Sequence, residues 1–207
     1  MSEARSKILN KIRMALASPT PLPFPQAEET AGIPVQPQSG DLVVEFAEQF
    51  SALQGKFVFC VDEAELKAGF EKLCYQNQWT KIYCEEEKFQ GIVGPNSLHN
   101  DIASCEASIT SCEALVARTG SIVLSSVHQG RIPSVYAPVH VCVAYTSQLV
   151  YDIKDALQAI KDKYRDYLPS LITLATGPSR TADIEKTLVV GVHGPKEVYC
   201  FVVDDQQ

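Results

Sequence analysis

Apolar positions along the chain follow two rhythms. Spacings of three and four place Ile8, Leu9, Ile12, Ala15 and Leu16 on one helical side, and Val43, Phe46, Ala47, Phe50 and Leu53 on another. Leu66, Phe70, Leu73 and Cys74 repeat the pattern behind Asp62 and Glu65, which have capping-box spacing. The clearest amphipathic helix is "DIKDALQAIKDKYRDYL", with Ile153, Leu157, Ile160 and Tyr164 on one face. Between these lie compact runs that read as strands: "KFVFCV", "KIYC", "TGSIVLSS", "VHVCVAY", "LITLAT", "TLVVGV" and "EVYCFVVD". In "ASITSCEALVAR", Thr110 and Glu113 again have capping-box spacing, so a helix is expected to start near Cys112.

Near-continuous Val/Ile/Phe runs alternating with helices are typical of strands covered on both faces. The fold class expected is therefore α/β with a mostly parallel sheet. Residues 18–40 interrupt the pattern, because they hold six of the twelve prolines. Alternating prolines block both helix and ladder hydrogen bonds, so this segment reads as an extended arm. Three parts follow: an amphipathic helix over 1–17, the arm over 18–40, and an α/β domain over 41–207.

Charge and cysteine usage narrow the partners. The net charge of −7 and the lack of a basic cluster beyond Arg5, Lys7, Lys11 and Arg13 argue against nucleic acid. No apolar run approaches the roughly 18 residues of a membrane span, and the N-terminus has no signal-peptide core, so a cytoplasmic protein is expected. Seven cysteines without any CxxC, and histidines without HxH or HExxH spacing, point to no metal site and no cluster in this chain.

The residues with most chemistry crowd into "TLATGPSRTADIEKTLVVGVHGP", at 173–195. The turn after "LITLAT" is expected to lead into a short helix. Thr176, Gly177, Ser179, Arg180 and Thr181 there can offer hydroxyls, backbone N–H groups and a guanidinium to an anion. Ser179 or Thr181 can equally cap that helix, with Asp183 and Glu185 in its first turn. His193, beside the Gly194-Pro195 turn, reads either as a proton carrier or as a hydrogen-bonded turn residue. In "SSVHQGRIPSVYAPVH" the loop is long enough to line a cleft, and Arg131 can hold a carboxylate there or form a surface ion pair. His140 reads as a half-buried strand residue.

The phrase "TGPSRTADIEKTLVVGVHGP", with "EALVARTGSIVLSS" and "RIPSVYAPVHVCV" before it, resembles the lactate-utilization protein C family, of the LUD-domain type. The opening "SKILNKIRMAL" and its proline-rich arm are similar too. Matching positions are Thr119, Gly120, Arg131, Pro138 and His140, then 176–181, Asp183, Glu185, Gly191, His193, Gly194 and Pro195. The resemblance implies a three-layer α/β/α fold similar to the ribose-5-phosphate isomerase, glucosamine-6-phosphate deaminase and CoA-transferase group. It also implies a place in a cytoplasmic system oxidising L-lactate to pyruvate, with iron–sulfur clusters on partner proteins and none here. The catalytic glutamate motif of CoA transferases is not recognisable, so that activity does not transfer.

Three readings stay open. The chain is an accessory subunit of that system, with Ser179, Arg180, Thr181 and Arg131 holding a small carboxylate and His193 or Asp183 moving a proton. It is a stand-alone enzyme on a phosphorylated or CoA-linked substrate. Or it is a non-catalytic assembly module docking through its N-terminal helix, as a homo-oligomer or on a partner.

Overall fold

The computed structural model describes residues 3–17, 40–130, 132–184 and 187–206. The chain divides into two compact units, residues 1–36 and 37–207. In the first, α1 (Glu3–Leu16) is the helix expected from the apolar spacing, and Ile8 and Ile12 are exposed on it. Arg13 in its last turn suits the negative end of the helix dipole. Apart from Gly40, the proline-rich arm lies outside the described residues.

The second unit begins with α2 (Leu42–Ala52), β1 (Lys56–Cys60), α3 (Glu63–Asn77), β2 (Ile82–Tyr83), α4 (Glu87–Val93) and β3 (Leu98–His99). Then come β4 (Ala107–Thr110), β5 (Ala114–Val116), β6 (Ser121–Ser125), α5 (Ser126–Gln129), α6 (Pro133–Tyr136) and β7 (Val139–Tyr145). The chain ends with β8 (Leu149–Val150), α7 (Ile153–Tyr164), β9 (Ile172–Ala175), β10 (Arg180–Ile184), β11 (Thr187–Val190) and β12 (Glu197–Val203). Among the described residues no helix is long and apolar enough to cross a membrane.

Six strands form one parallel sheet in the order β1-β12-β7-β4-β2-β3, the sheet expected from the apolar runs. Side chains alternate across a strand, so each face of β7 carries every second residue. Val139, Val141 and Val143 pack with Leu66 and Phe70 of α3 and Phe89 of α4. Cys142 and Ala144, with Val198, Cys200 and Val202 of β12, pack on the opposite side against Phe46 and Phe50 of α2. This explains why β7 reads as an unbroken apolar run: neither face meets water.

That second face is shared between α2 and a smaller sheet, ordered β8-β5-β6-β9, in which β6 runs antiparallel to both β5 and β9. Leu115, Ile122 and Leu124 point from it towards α2, whereas Ala114, Val116 and Val123 point away and pack on Ala156 and Ile160 of α7. Helices therefore lie outermost on both sides, and the smaller sheet is wedged between the parallel sheet and α7. A third pair, β10 and β11, forms an antiparallel hairpin.

The helix expected near Cys112 is absent. Ala114–Val116 is a strand, and Glu113 N–H donates to the Val123 carbonyl at 2.8 Å. The capping spacing is a local signal, and burial on two opposite faces with period two overrides it. Thr110 places its hydroxyl 2.7 Å from His140 Nε2 instead of capping a helix. Cys112 is buried, and its thiol is pushed well above its ordinary value by interaction with Cys142 and by burial, so it is no activated nucleophile.

Glu113 secures α7 to the smaller sheet. Its carboxylate accepts from Lys163 Nζ and Tyr164 Oη, both at 2.8 Å, and from Ser125 Oγ. Burial works against the charge, but these hydrogen bonds outweigh it and hold the carboxyl below its ordinary value. A lowered carboxyl stabilises the fold above its unfolded value and ceases to do so as pH falls through the folded one. Glu113→Gln should therefore cost about 1–2 kcal/mol at neutral pH. In thermal melts the gap between wild type and variant should close as pH drops below the ordinary 4.5. A gap that is constant from pH 7 into acid would contradict this role.

Candidate functional site

Two Thr-Gly turns meet the C-terminal end of α2. At the first, Gly120 has φ +60°, and a Cβ there would sit 2.5 Å from Phe50 N and 2.7 Å from Gln49 C. At the second, Gly177 has φ +81°, and a Cβ would lie 2.5 Å from the Leu53 carbonyl oxygen. Only glycine permits both the left-handed backbone and so close an approach. A hydroxyl chain links the turns: Thr119 Oγ1 to Ser121 Oγ at 2.7 Å, and Ser121 Oγ to Thr176 Oγ1 at 2.9 Å. Arg180 completes the grip, its Nη2 donating to the Leu53 carbonyl at 2.7 Å. A guanidinium at a helix C-terminus satisfies a carbonyl that has no partner within the helix, and it complements the dipole.

The short helix expected after Gly177-Pro178 is not formed. Arg180–Ile184 is a strand, with Arg180 paired to Val190 and Thr181 to Val189. Ser179 caps nothing: its N–H donates to the Pro195 carbonyl and its carbonyl accepts from Gly191 N–H, both at 2.9 Å. The run Thr187–Val190, β-branched at three of its four positions, supplies a partner strand, and that ladder prevails over a local Ser/Thr…Asp/Glu capping signal.

The second of the two turns, at Thr176-Gly177, borders a cavity of about 330 Å³ at the end of β9, whose lining comes from both sheets. Thr173, Thr176, Ser179, His140, His193 and Gly194 are among the residues lining it. Gly194 lets the two signature segments touch, because a Cβ there would lie 2.8 Å from Ser179 Cβ. A second cavity of about 380 Å³ shares Val135, His193 and Gly194 with the first and adds Tyr136, Gly191 and Lys196.

His140 lies on the wall of the first cavity and is wholly buried. Its Nε2 is 2.7 Å from Thr110 Oγ1, while its buried Nδ1 has no hydrogen-bond partner. Burial lowers its pKa to about 4, so the ring is neutral at neutral pH. Seated among apolar neighbours, an unsatisfied ring nitrogen costs about 1–3 kcal/mol. Nδ1 has no accessible surface, so the neighbouring cavity does not reach it as the side chains stand.

Thr176, Gly177, Ser179 and His193 thus come together on one cavity. Arg180 and Thr181 leave it along β10, and Arg180 is engaged with α2. Asp183 belongs to the same strand. Arg131 and Glu185 lie outside the described residues. His140 and Lys196 were not among the residues expected to form the site. The available signal for His140 was a histidine inside an otherwise apolar strand covered on both faces, where every polar atom needs a partner. Among the described residues no three His, Cys, Asp or Glu side chains converge as a metal site.

Comparison with known proteins converges on this region. Residues 93–203 match the family described as LUD domain, a span that contains every residue lining both cavities. The chain is 33% identical over 135 residues to lactate utilization protein C of Bacillus licheniformis, covering 64% of this chain and 54% of that protein. It is 32% identical over 111 residues to the protein of that name from Deinococcus radiodurans, covering 53% and 51% respectively. With the Bacillus velezensis protein it shares 38% identity over 101 residues, covering 47% and 42%. The chain thus spans about half the length of the curated relatives it matches. Its fold is similar to the crystal structure of a DUF162 family protein from Deinococcus radiodurans. That match has a TM-score of 0.61 and 19% identity, and it covers 81% of this chain and 99% of the other.

The α2 contacts and the cavity can be separated by mutation. Gly177→Ala should destabilise the domain by about 1–3 kcal/mol, through both backbone strain and collision with Leu53. Arg180→Ala, which removes one exposed contact, should cost no more than about 1 kcal/mol. Denaturant melts read both, and a neutral Gly177→Ala would refute the close packing on α2.

Proposed function

This chain belongs to the LUD domain family, and from that premise we propose that it is a subunit or accessory protein of a cytoplasmic L-lactate oxidation system. In this reading its inter-sheet cavity binds a small organic anion, and the iron–sulfur clusters reside on partner proteins. The observation that carries it is convergence: Thr176 and Ser179 of one turn, His140 of β7 and His193, from three separate stretches of the chain, border one cavity within the matched segment. Relatives of 32–38% identity named lactate utilization protein C supply the metabolic context.

Oxidation of lactate to pyruvate converts a carbinol to a carbonyl and releases two protons and two electrons. We assign the two electrons to the partners' iron–sulfur clusters, each of which would take one. His193 is exposed and lines both cavities, so solvent reaches it, and it is our first candidate for the proton carrier. Asp183 is the second candidate. Ser179, whose side chain lies against Gly194 on the cavity wall, is our candidate hydroxyl for anchoring the ligand.

The test is recovery of the tagged full-length chain from lactate-grown cells, with iron content and lactate-dependent dye reduction measured on the eluate. Co-purifying iron proteins with that activity are the expected result. Gly194→Val, which crowds Ser179 and fills the cavity, should leave the partners bound and cut dye reduction by at least about tenfold. A lone, iron-free, inactive chain would overturn the subunit reading.

A further inference from the structure

The second cavity has a cationic side chain on its wall. It is lined by Lys196 and His193, with Tyr136, Val135, Pro138 and Val192 around them. Among the described residues lining the first cavity, none is a lysine or an arginine.

Backbone contacts fix this wall. Ser179 N–H donates to the Pro195 carbonyl, and the Ser179 carbonyl accepts from Gly191 N–H, both at 2.9 Å. The turn that carries His193 is therefore closed at both ends on a single residue. Lys196 N–H donates to the Pro138 carbonyl at 2.8 Å. The stem of the lysine lies over Gly191, where a Cβ would fall 2.2 Å from its Cγ. Packing of the stem removes rotamers that a lysine on open surface would have, so less entropy is lost when the ammonium engages a ligand.

The ammonium is not spent within the fold. Lys56, Lys88 and Lys163 each face a carboxylate, at 2.6, 3.4 and 2.8 Å. Glu197, next to Lys196 in the chain, is the acid taken by Lys56. Among the described residues no carboxylate pairs with Lys196 and no group hydrogen-bonds the His193 ring.

A single ammonium beside apolar side chains selects among anions. A monocarboxylate matches it in charge, and an alkyl tail can cover Val135, Pro138 and Val192. A phosphate dianion would leave one charge without a partner, and it has no tail to place. The volume of about 380 Å³ leaves room for such a tail. A three-carbon acid occupies only on the order of 100 Å³ if a water takes about 30 Å³.

We propose that the second cavity is a binding site for short-chain monocarboxylates, with Lys196 as the carboxylate anchor and His193 as a second hydrogen-bond donor to it. The site is separate from the ligand site assigned to the first cavity, and it does not depend on the subunit reading.

The experiment is NMR titration of the full-length chain with acetate, butyrate, butyramide and inorganic phosphate. Butyramide has the size of butyrate without its charge. Butyrate should bind at least about threefold more tightly than acetate, through its two extra methylenes. It should exceed butyramide and phosphate by at least about tenfold. Lys196 is exposed, so its variants should melt as the wild type does. Lys196→Gln should weaken butyrate at least about fivefold, and Lys196→Arg should keep most of the affinity. The ring-proton signal that disappears in His193→Gln should shift with the same midpoint as butyrate binding.

No butyrate binding, butyramide equal to butyrate, or full affinity in Lys196→Gln would overturn the proposal. Phosphate binding more tightly than butyrate would overturn the choice of ligand class. A His193 signal that stays still while butyrate saturates the chain would remove that residue from the site.

Discussion

Backbone contact at the end of α2 holds the arrangement of the second unit. The helix is fixed to the parallel sheet by its aromatic face: Phe46 stacks on Phe50 at 5.4 Å and meets Phe57 of β1 edge-on at 6.1 Å. Its last turn then rests on the backbone of two turns from the smaller sheet, at Gly120 and Gly177. Contacts between backbones are less forgiving than contacts between side chains, because no rotamer can absorb a misfit. The smaller sheet is therefore set against the larger one by the same helix that fills the space between them. Beyond the reach of α2, towards the ends of β9 and β12, that space opens as the cavity.

This arrangement divides the densest stretch of the sequence into two tasks. Gly177 and Arg180 serve α2, one by yielding space to the Leu53 carbonyl and the other by donating to it. Ser179, lying between them, faces Gly194 and the cavity. Thr176 belongs to both, since its hydroxyl joins the chain from Ser121 while the residue lines the cavity. The segment 176–179 is a turn with Gly177 in the left-handed region, and it is this turn that brings residues three apart, Gly177 and Arg180, to the same helix end.

Much of the architecture was legible because it rests on local or periodic signals. The cap of α3 by Asp62, with Glu65 N–H donating to it at 2.7 Å, follows from residue types three apart. The apolar runs of β1, β7 and β12 follow from burial on both faces. The two failures, at 112–116 and 179–184, share a cause: each contains an Asp or Glu placed as for a helix start, and each is claimed by a distant strand. In the site, Arg180 was the natural anion ligand by residue type. Its partner, Leu53, is 127 positions away and offers only a carbonyl, which no sequence pattern announces. Lys196 was hidden for a similar reason, because its position depends on a missing side chain at Gly191.

His140 shows where local reasoning must give way to an accounting of polar atoms. A histidine in a strand between two apolar layers suggests a residue whose nitrogens are both satisfied, since an unsatisfied one weakens the fold. One nitrogen is indeed held by Thr110, and β4 supplies a second polar link nearby, where Ser108 Oγ donates to the Pro133 carbonyl at 2.6 Å. The other nitrogen is buried and has no partner. A leucine of similar volume would pack there without that penalty. Sites that keep such a local defect are the ones where a fold trades stability for a task. The same reasoning explains the neutrality of the ring: a charged imidazolium would need a buried counter-ion, and burial instead holds its pKa near 4.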